Sequence, residues 1–210
     1  MGLSHKALQD KRAKKAAKRK AATKNKGGLV AAMGAAREWS YAATAPIHEV
    51  LVPDILFELG IGNLIFSRKL PDGNITVAAF LIDTFCLGVK DAFYATISFA
   101  KYEEYVRFRL VGSVAGKLQA QPPAYARKLV EEAVAYAREF GFDPHPDYKI
   151  ARQIFGDVEA ADCPVRFEFG RDGKPFYCNG PNDTPAMQRR ILTQLQRKCG
   201  DNGFERSILG

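Results

Sequence analysis

Cysteine and histidine are scarce in this sequence, and it contains no long hydrophobic run. Its four cysteines include no Cys-x-x-Cys pair, and its three histidines do not stand at zinc-ligand spacings beside them. This argues against a structural zinc site and favours four reduced thiols in a cytoplasm. A membrane-spanning helix needs about 18 or more apolar residues, and no segment reaches that length. The basic amino terminus runs into alanine and lysine, so no secretory signal is expected.

Acidic residues are almost missing from the first 28 positions, which hold Asp10 and ten lysines and arginines. Ten cations against one acid give these residues, the basic arm, a formal charge of +9. The remaining 21 cations and 22 acids leave residues 29–210 at −1. Dense positive charge beside a neutral body predicts a polyanionic partner, either a nucleic acid (RNA ahead of DNA) or the ribosome. The nucleic-acid-binding residues predicted in the arm are Lys6, Lys11, Arg12, Lys14, Lys15, Lys18, Arg19, Lys20, Lys24 and Lys26.

The arm contains good helix formers but repeats like charges four residues apart, as at Lys11 and Lys15. Such pairs repel along a helix. We therefore expect an arm that is disordered alone and becomes helical when phosphates neutralise it. It lacks the apolar face that a membrane-surface helix needs, so no membrane partner is expected. Residues 29–46 form an alanine-rich connector, and residues 47–210 are predicted to form a single α+β domain.

The clearest structural signal in the body is a hairpin. Two β-rich runs, 63–70 and 75–85, flank the turn sequence Pro-Asp-Gly-Asn at 71–74, which favours a tight reversal. The second run is apolar on both faces, so we expect a strand in the interior of a covered sheet. A strand with a short second element is predicted over 47–60.

Helices are predicted over 101–111, 124–140, 147–155 and 184–200. The second carries one apolar stripe and ends at Gly141, the third begins with Asp147 as its cap, and the last begins with Thr184. Met187, Ile191, Leu192 and Leu195 are assigned to the core face of the last helix. A second hairpin, 165–169 with 174–178, is predicted around Arg-Asp-Gly. Hairpins interleaved with helices indicate an α+β fold, a mixed or antiparallel sheet with helices packed on it.

Ionisable residues stand in and beside the apolar strand: Asp83, Lys90 and Asp91. An ionisable group there must be hydrogen-bonded, paired or neutral, and one interpretation bonds Asp83 to the backbone or to Lys90. In the other, Asp83, Lys90 and Asp91 are catalytic, and the two carboxylates bind Mg²⁺ or Mn²⁺ in a metal-dependent hydrolase or nuclease. Nuclease sites of that kind place an acid two residues before the lysine, where Gly88 stands here. A nucleophilic Cys86 has no support in the spacing.

Two further groups of polar residues are candidates for binding. Asp143, His145 and Asp147 stand within five residues, but the intervening prolines and the capping role of Asp147 favour a structural loop. The last helix carries cations away from its apolar face, which form a possible secondary nucleic-acid patch or an ordinary solvated face: Arg189, Arg190, Arg197 and Lys198.

Several stretches of the body resemble a group of uncharacterised bacterial proteins. They are Phe-Leu-Ile-Asp-Thr-Phe-Cys-Leu-Gly-Val-Lys-Asp-Ala at 80–92, Phe-Asp-Pro-His-Pro-Asp-Tyr at 142–148, Gly-Lys-Pro-Phe-Tyr at 173–177 and Gly-Pro-Asn-Asp-Thr-Pro at 180–185. The resemblance implies a bacterial, intracellular protein and no particular activity.

Taken together, these features favour a nucleic-acid-binding or ribosome-associated protein of the bacterial cytoplasm, held through its basic arm and needing no cofactor. The metal-dependent hydrolase is the enzyme alternative, with Mg²⁺ or Mn²⁺ as its cofactor. A third possibility is an interaction module in which arm and body each bind one partner of an assembly. The sequence assigns no oligomeric state.

Overall fold

The computed structural model of the protein describes residues 42–112, 116–181 and 183–207, with the side chains of 107–112 excepted. The basic arm and residues 29–41 of the connector lie outside these residues, so the predictions made for them stay predictions. The described body is built on a five-stranded sheet in which every neighbouring pair is antiparallel, in the order β4-β3-β2-β1-β5. The strands are β1 (Ile47–Pro53), β2 (Ile61–Lys69), β3 (Ile75–Asp83), β4 (Gly88–Ile97) and β5 (Leu118–Ala120).

The predicted first hairpin is confirmed as β2 and β3, which pair along their whole lengths from Ile61–Asp83 to Lys69–Ile75. Its turn is closed by Asp72, whose carboxylate accepts the Asn74 amide at 3.0 Å. Every residue of β3 is buried apart from the half-buried Leu81. An apolar strand with neighbours on both edges buries both of its faces, as its sequence predicts.

Helices cover the sheet, which confirms the α+β fold class. One side of the sheet packs on helix α2 through Ile75, Val77 and Tyr102, whereas Phe80 stacks on Phe155 from the other side. No helix among the described residues is long and apolar enough to span a membrane. The helices are α1 (Leu56–Leu59), α2 (Phe99–Gly112), α3 (Pro123–Glu139), α4 (Tyr148–Ala151) and α5 (Pro185–Cys199), with 3₁₀ turns at Arg152–Phe155 and Ala160–Asp162.

Helix α3 is the amphipathic helix that the sequence predicts. Its apolar residues recur every three or four positions, which places them along one side of the helix, and α3 contacts the four long strands. The helix ends before Gly141, whose φ of +83° is strained for any residue with a side chain. Its buried stripe consists of Ala126, Leu129, Val130, Ala133, Val134 and Ala137.

Three predictions for the remaining helices and strands are wrong. Residues 165–169 form no strand, because the chain after the turn at 171–174 pairs elsewhere: β6 (Phe176–Cys178) runs parallel to β7 (Glu205–Ser207). Met187 is exposed, while Leu195 is buried and Ile191 and Leu192 pack against its cluster. Asp147 makes no side-chain cap, although Thr184 does cap α5 by accepting the Met187 amide.

A buried arginine ties the sheet to the second half of the chain. Arg68, near the end of β2, is 3% exposed. Its guanidinium donates to the carbonyl oxygens of Ala45 at 2.6 Å, Ile154 at 2.7 Å and Phe155 at 2.8 Å. Gly156 follows with a positive φ of 54°, and a Cβ at this position would overlap the Ala43 carbonyl. We call these contacts the Arg68 junction.

Candidate functional site

Asp83 closes the turn between β3 and β4. Asp83 is the last residue of β3. Its Oδ1 accepts the backbone amides of Phe85 at 3.0 Å and Cys86 at 2.8 Å. An aspartate that binds amides two and three residues ahead stabilises a chain reversal. The residue is only 6% exposed. This geometry corresponds to the structural interpretation in which the backbone satisfies Asp83.

Lys90 pairs with a residue other than Asp83. Its ammonium lies 3.4 Å from Oδ2 of Asp183, which also accepts the Tyr177 hydroxyl and the Gly180 amide, each at 2.9 Å. The side chains of Lys90 and Asp183 are 14% and 7% exposed. Three donors on one carboxylate oxygen fix the loop before α5 against β4. The interaction joins residues 93 positions apart, and no spacing in the sequence could have indicated it.

Asp91 is exposed and lies in a different environment from Asp83. Its Oδ1 accepts the Ala92 amide at 2.8 Å and lies 3.7 Å from Nε2 of His145. The Nδ1 of His145 in turn accepts the Asp147 amide at 3.3 Å. Asp143 points elsewhere, toward Arg138.

The described residues contain no group of three or more His, Cys, Asp and Glu side chains able to hold a metal ion. The three residues of the predicted hydrolase site have different bonding partners: Asp83 binds turn amides, Lys90 binds Asp183, and Asp91 lies beside His145. Among the described residues, the partners of Asp83 and Lys90 are therefore groups that stabilise the fold.

The two buried carboxylates near Lys90 have opposite pKa shifts. Burial raises the pKa of Asp83 to about 6, although the Cys86 amide and the charge of Lys90 oppose the shift. Burial also favours a higher pKa for Asp183, but the hydrogen bond from the Gly180 amide and the contact with Lys90 outweigh it and lower the pKa. Burial and the nearby Asp83 raise the pKa of the Cys86 thiol, which argues against a thiolate nucleophile there.

The raised pKa of Asp83 predicts a specific pH dependence of stability. Because the folded state holds this proton more tightly than the unfolded state, its contribution is fully present below about pH 4 and is lost as the pH rises through about 6. We expect the free energy of unfolding of the wild type to fall by on the order of 2–3 kcal/mol relative to Asp83→Asn across this window. Denaturant titrations of both proteins from pH 4 to 7 measure it. A constant difference between them would contradict the assignment.

Helix α5 presents the cations predicted for a secondary patch. All four are exposed, and none has an ion pair within the described residues. The helix contains no acidic residue. With 3.6 residues per turn, the four positions spread over about half of the helix circumference, and the pairs 189–190 and 197–198 lie about 12 Å apart along the axis. The patch, called the α5 cations, consists of Arg189, Arg190, Arg197 and Lys198.

The amino terminus of α5 is already occupied by the protein's own groups. Thr184 caps the helix by accepting the Met187 amide at 3.3 Å, and the Gln188 side chain donates to the Asp183 carbonyl at 2.8 Å. The carboxylate of Asp183 precedes the helix. The positive character of the helix lies in its outer side chains.

Comparisons of the chain with protein-family models, with curated protein sequences and with solved structures find no match. The predicted nucleic-acid-binding residues of the basic arm lie outside the described residues. Within them, the four α5 cations are all exposed and lie on one helix.

Proposed function

We propose that this protein binds nucleic acid, with RNA as the preferred class, as a free or ribosome-associated partner in the bacterial cytoplasm. The observation that supports this proposal is the distribution of charge. Ten cations and one acid occupy residues 1–28, while residues 29–210 are at −1. Positive charge confined to one segment serves attachment to a polyanion, because each neutralised phosphate releases condensed counterions.

The α5 cations support a second contact surface on the body. Four exposed cations that have no ion pair among the described residues, on a helix without acids, attract phosphates, although the body as a whole is nearly neutral. Phosphate contacts of this kind fix position and carry no sequence information. The proposed binding is therefore strong at low salt and tolerant of sequence.

Neutralising the arm tests the main proposal. The ten lysines and arginines of residues 1–28 are replaced by glutamine in the full chain, and a labelled single-stranded RNA reports binding by fluorescence anisotropy from 50 to 200 mM KCl. We expect at least tenfold weaker binding at 50 mM, because each lost phosphate contact on a single strand lowers the salt slope by about 0.7.

The same titration with deletion of residues 1–28 separates charge from chain length, and thermal melts check that both proteins fold. Unchanged affinity and salt slope in both variants would refute the proposal. Protein partners that co-purify and survive RNase treatment would favour the interaction module instead. A DNA strand of the same length and sequence measures the preference for RNA.

The α5 cations have a smaller predicted effect. Replacing all four by glutamine should weaken RNA binding several-fold and lower the salt slope by about 1 or more. The matched control removes the same charge from dispersed exposed lysines of the body and should change the slope less. Equal effects of the two variants would show that α5 acts only through net charge. The control replaces Lys69, Lys101, Lys117 and Lys149.

A further inference from the structure

Residues 163–169, after the 3₁₀ turn at Ala160–Asp162, contain no helix, turn or bend. The rings of Phe167 and Phe169 lie 6.4 Å apart, and both contact Phe57. Side chains two residues apart on the same side indicate an extended chain. Arg166 and Glu168, which alternate with the two phenylalanines, are exposed.

One edge of this extended segment is held by Lys128 of α3. Its ammonium donates to the carbonyl oxygens of Cys163 at 2.9 Å and Val165 at 2.7 Å. Successive residues of an extended chain direct their backbone groups to alternate edges. The N–H and C=O groups of Arg166 and Glu168 therefore lie on the edge away from Lys128, and no described residue hydrogen-bonds to them.

The open edge is short and bounded at both ends. Pro164 has no N–H to donate, and the Gly170 amide already donates to the Thr84 carbonyl at 2.9 Å. Between them, residues 166 to 168 present two donors and two acceptors. A complete ladder partner for this stretch is a strand of similar length.

The charged side chains of this edge are complementary to those of the same edge on a second copy of the chain. In an antiparallel pair centred on Phe167, Arg166 stands opposite Glu168 of a second copy, and Glu168 stands opposite the second copy's Arg166. The two-fold axis repeats each contact, so one surface supplies two opposite-charge pairs and four backbone hydrogen bonds. Within one chain neither side chain has an ion pair among the described residues. Val165, 41% exposed, stands opposite Phe169 across the same axis.

We propose that two copies of this protein associate by antiparallel pairing of residues 165–169. The interface is much smaller than the roughly 1,600 Å² of a standard stable complex, so the dimer is weak and reversible, with a dissociation constant on the order of 100 μM. It requires no nucleic acid and is independent of the proposed function. An extended peptide of another protein is the competing occupant of the edge.

The experiment is sedimentation equilibrium of the full chain, freed of nucleic acid, from 5 to 500 μM in 150 mM salt. Arg166→Glu and Glu168→Arg each place two like charges across the axis and should weaken dimerisation at least tenfold. The double variant restores both opposite-charge pairs and should return the dissociation constant to within about twofold of the wild type. Lys149→Glu, at an exposed position of α4, is the control for the change in net charge.

Rescue by the double variant, with an unaffected control, establishes the register as well as the pairing. A wild type that stays monomeric throughout the range overturns the proposal and leaves a foreign peptide as the remaining occupant. A dimer that ignores the single reversals, or one that the double variant does not restore, also overturns it. Because both substituted side chains are exposed, we expect every variant to fold. Circular dichroism of each variant checks this.

Discussion

Arg68→Met should lower the free energy of unfolding by on the order of 4–5 kcal/mol. The substitution keeps an apolar chain of similar length but removes all three hydrogen bonds of the Arg68 junction. The carbonyl oxygens of Ala45 and Ile154 then lose the partner that the structure gives them. A buried acceptor left without a partner costs about 1–3 kcal/mol, and the loss of bonds to a charged donor adds to this.

Chemical denaturation of wild type and variant at neutral pH measures this effect. Arg190→Met is the matched control, because it removes an exposed arginine and should change stability by less than about 0.5 kcal/mol. Arg68→Lys distinguishes geometry from charge: one ammonium cannot reach three carbonyls in the fork arrangement of a guanidinium, so it should recover only part of the loss. A full recovery with lysine would contradict the assigned role of the fork.

Gly156→Ala should cost on the order of 3–5 kcal/mol, an unusually large effect for one methyl group. Two causes combine. Gly156 has a φ of +54° and a ψ of −120°, where a residue with a side chain is strained by about 1–2 kcal/mol. The added Cβ would also overlap the Ala43 carbonyl and lie 3.0 Å from a guanidinium nitrogen of Arg68, so the junction must shift.

Gly173→Ala separates these two causes. Gly173 has a comparable φ of +75°, but a Cβ there meets nothing within 4 Å. Its alanine variant should therefore show the backbone strain alone, about 1–2 kcal/mol. Thermal or denaturant unfolding of the two variants gives the comparison. Equal losses at both positions would mean that the close approach to Ala43 contributes nothing to the cost.

The parts of the fold that depend on neighbours in sequence could be predicted. The β2–β3 hairpin follows from its turn residues, and α3 follows from an apolar stripe that the structure buries residue for residue. The prediction of a second hairpin was wrong because alternating apolar and polar residues in 165–169 indicate only which side chains face the body. A paired strand and an unpaired extended chain both show this alternation. In the structure Phe167 stacks on Phe57, which lies in a distant part of the sequence.

The candidate site was less predictable, because its contacts join distant parts of the chain. Asp83 could be recognised as a residue that needs a partner, yet its partners are the amides of its own turn. For Lys90 the sequence offered Asp83 as a partner, and nothing local points to Asp183. The exposure of the α5 cations was predictable, because charged side chains of an amphipathic helix avoid its buried side.

The Arg68 junction can form only late in the synthesis of the chain. Strands β1 to β4 are complete at residue 97, whereas the carbonyls that enclose Arg68 belong to residues 154 and 155. After Arg68 has been added, 86 further residues must be synthesised before the Ile154 carbonyl exists. At usual translation rates this takes roughly 4 to 17 seconds. During that time the Ala45 carbonyl is the one acceptor of the Arg68 junction that has been synthesised.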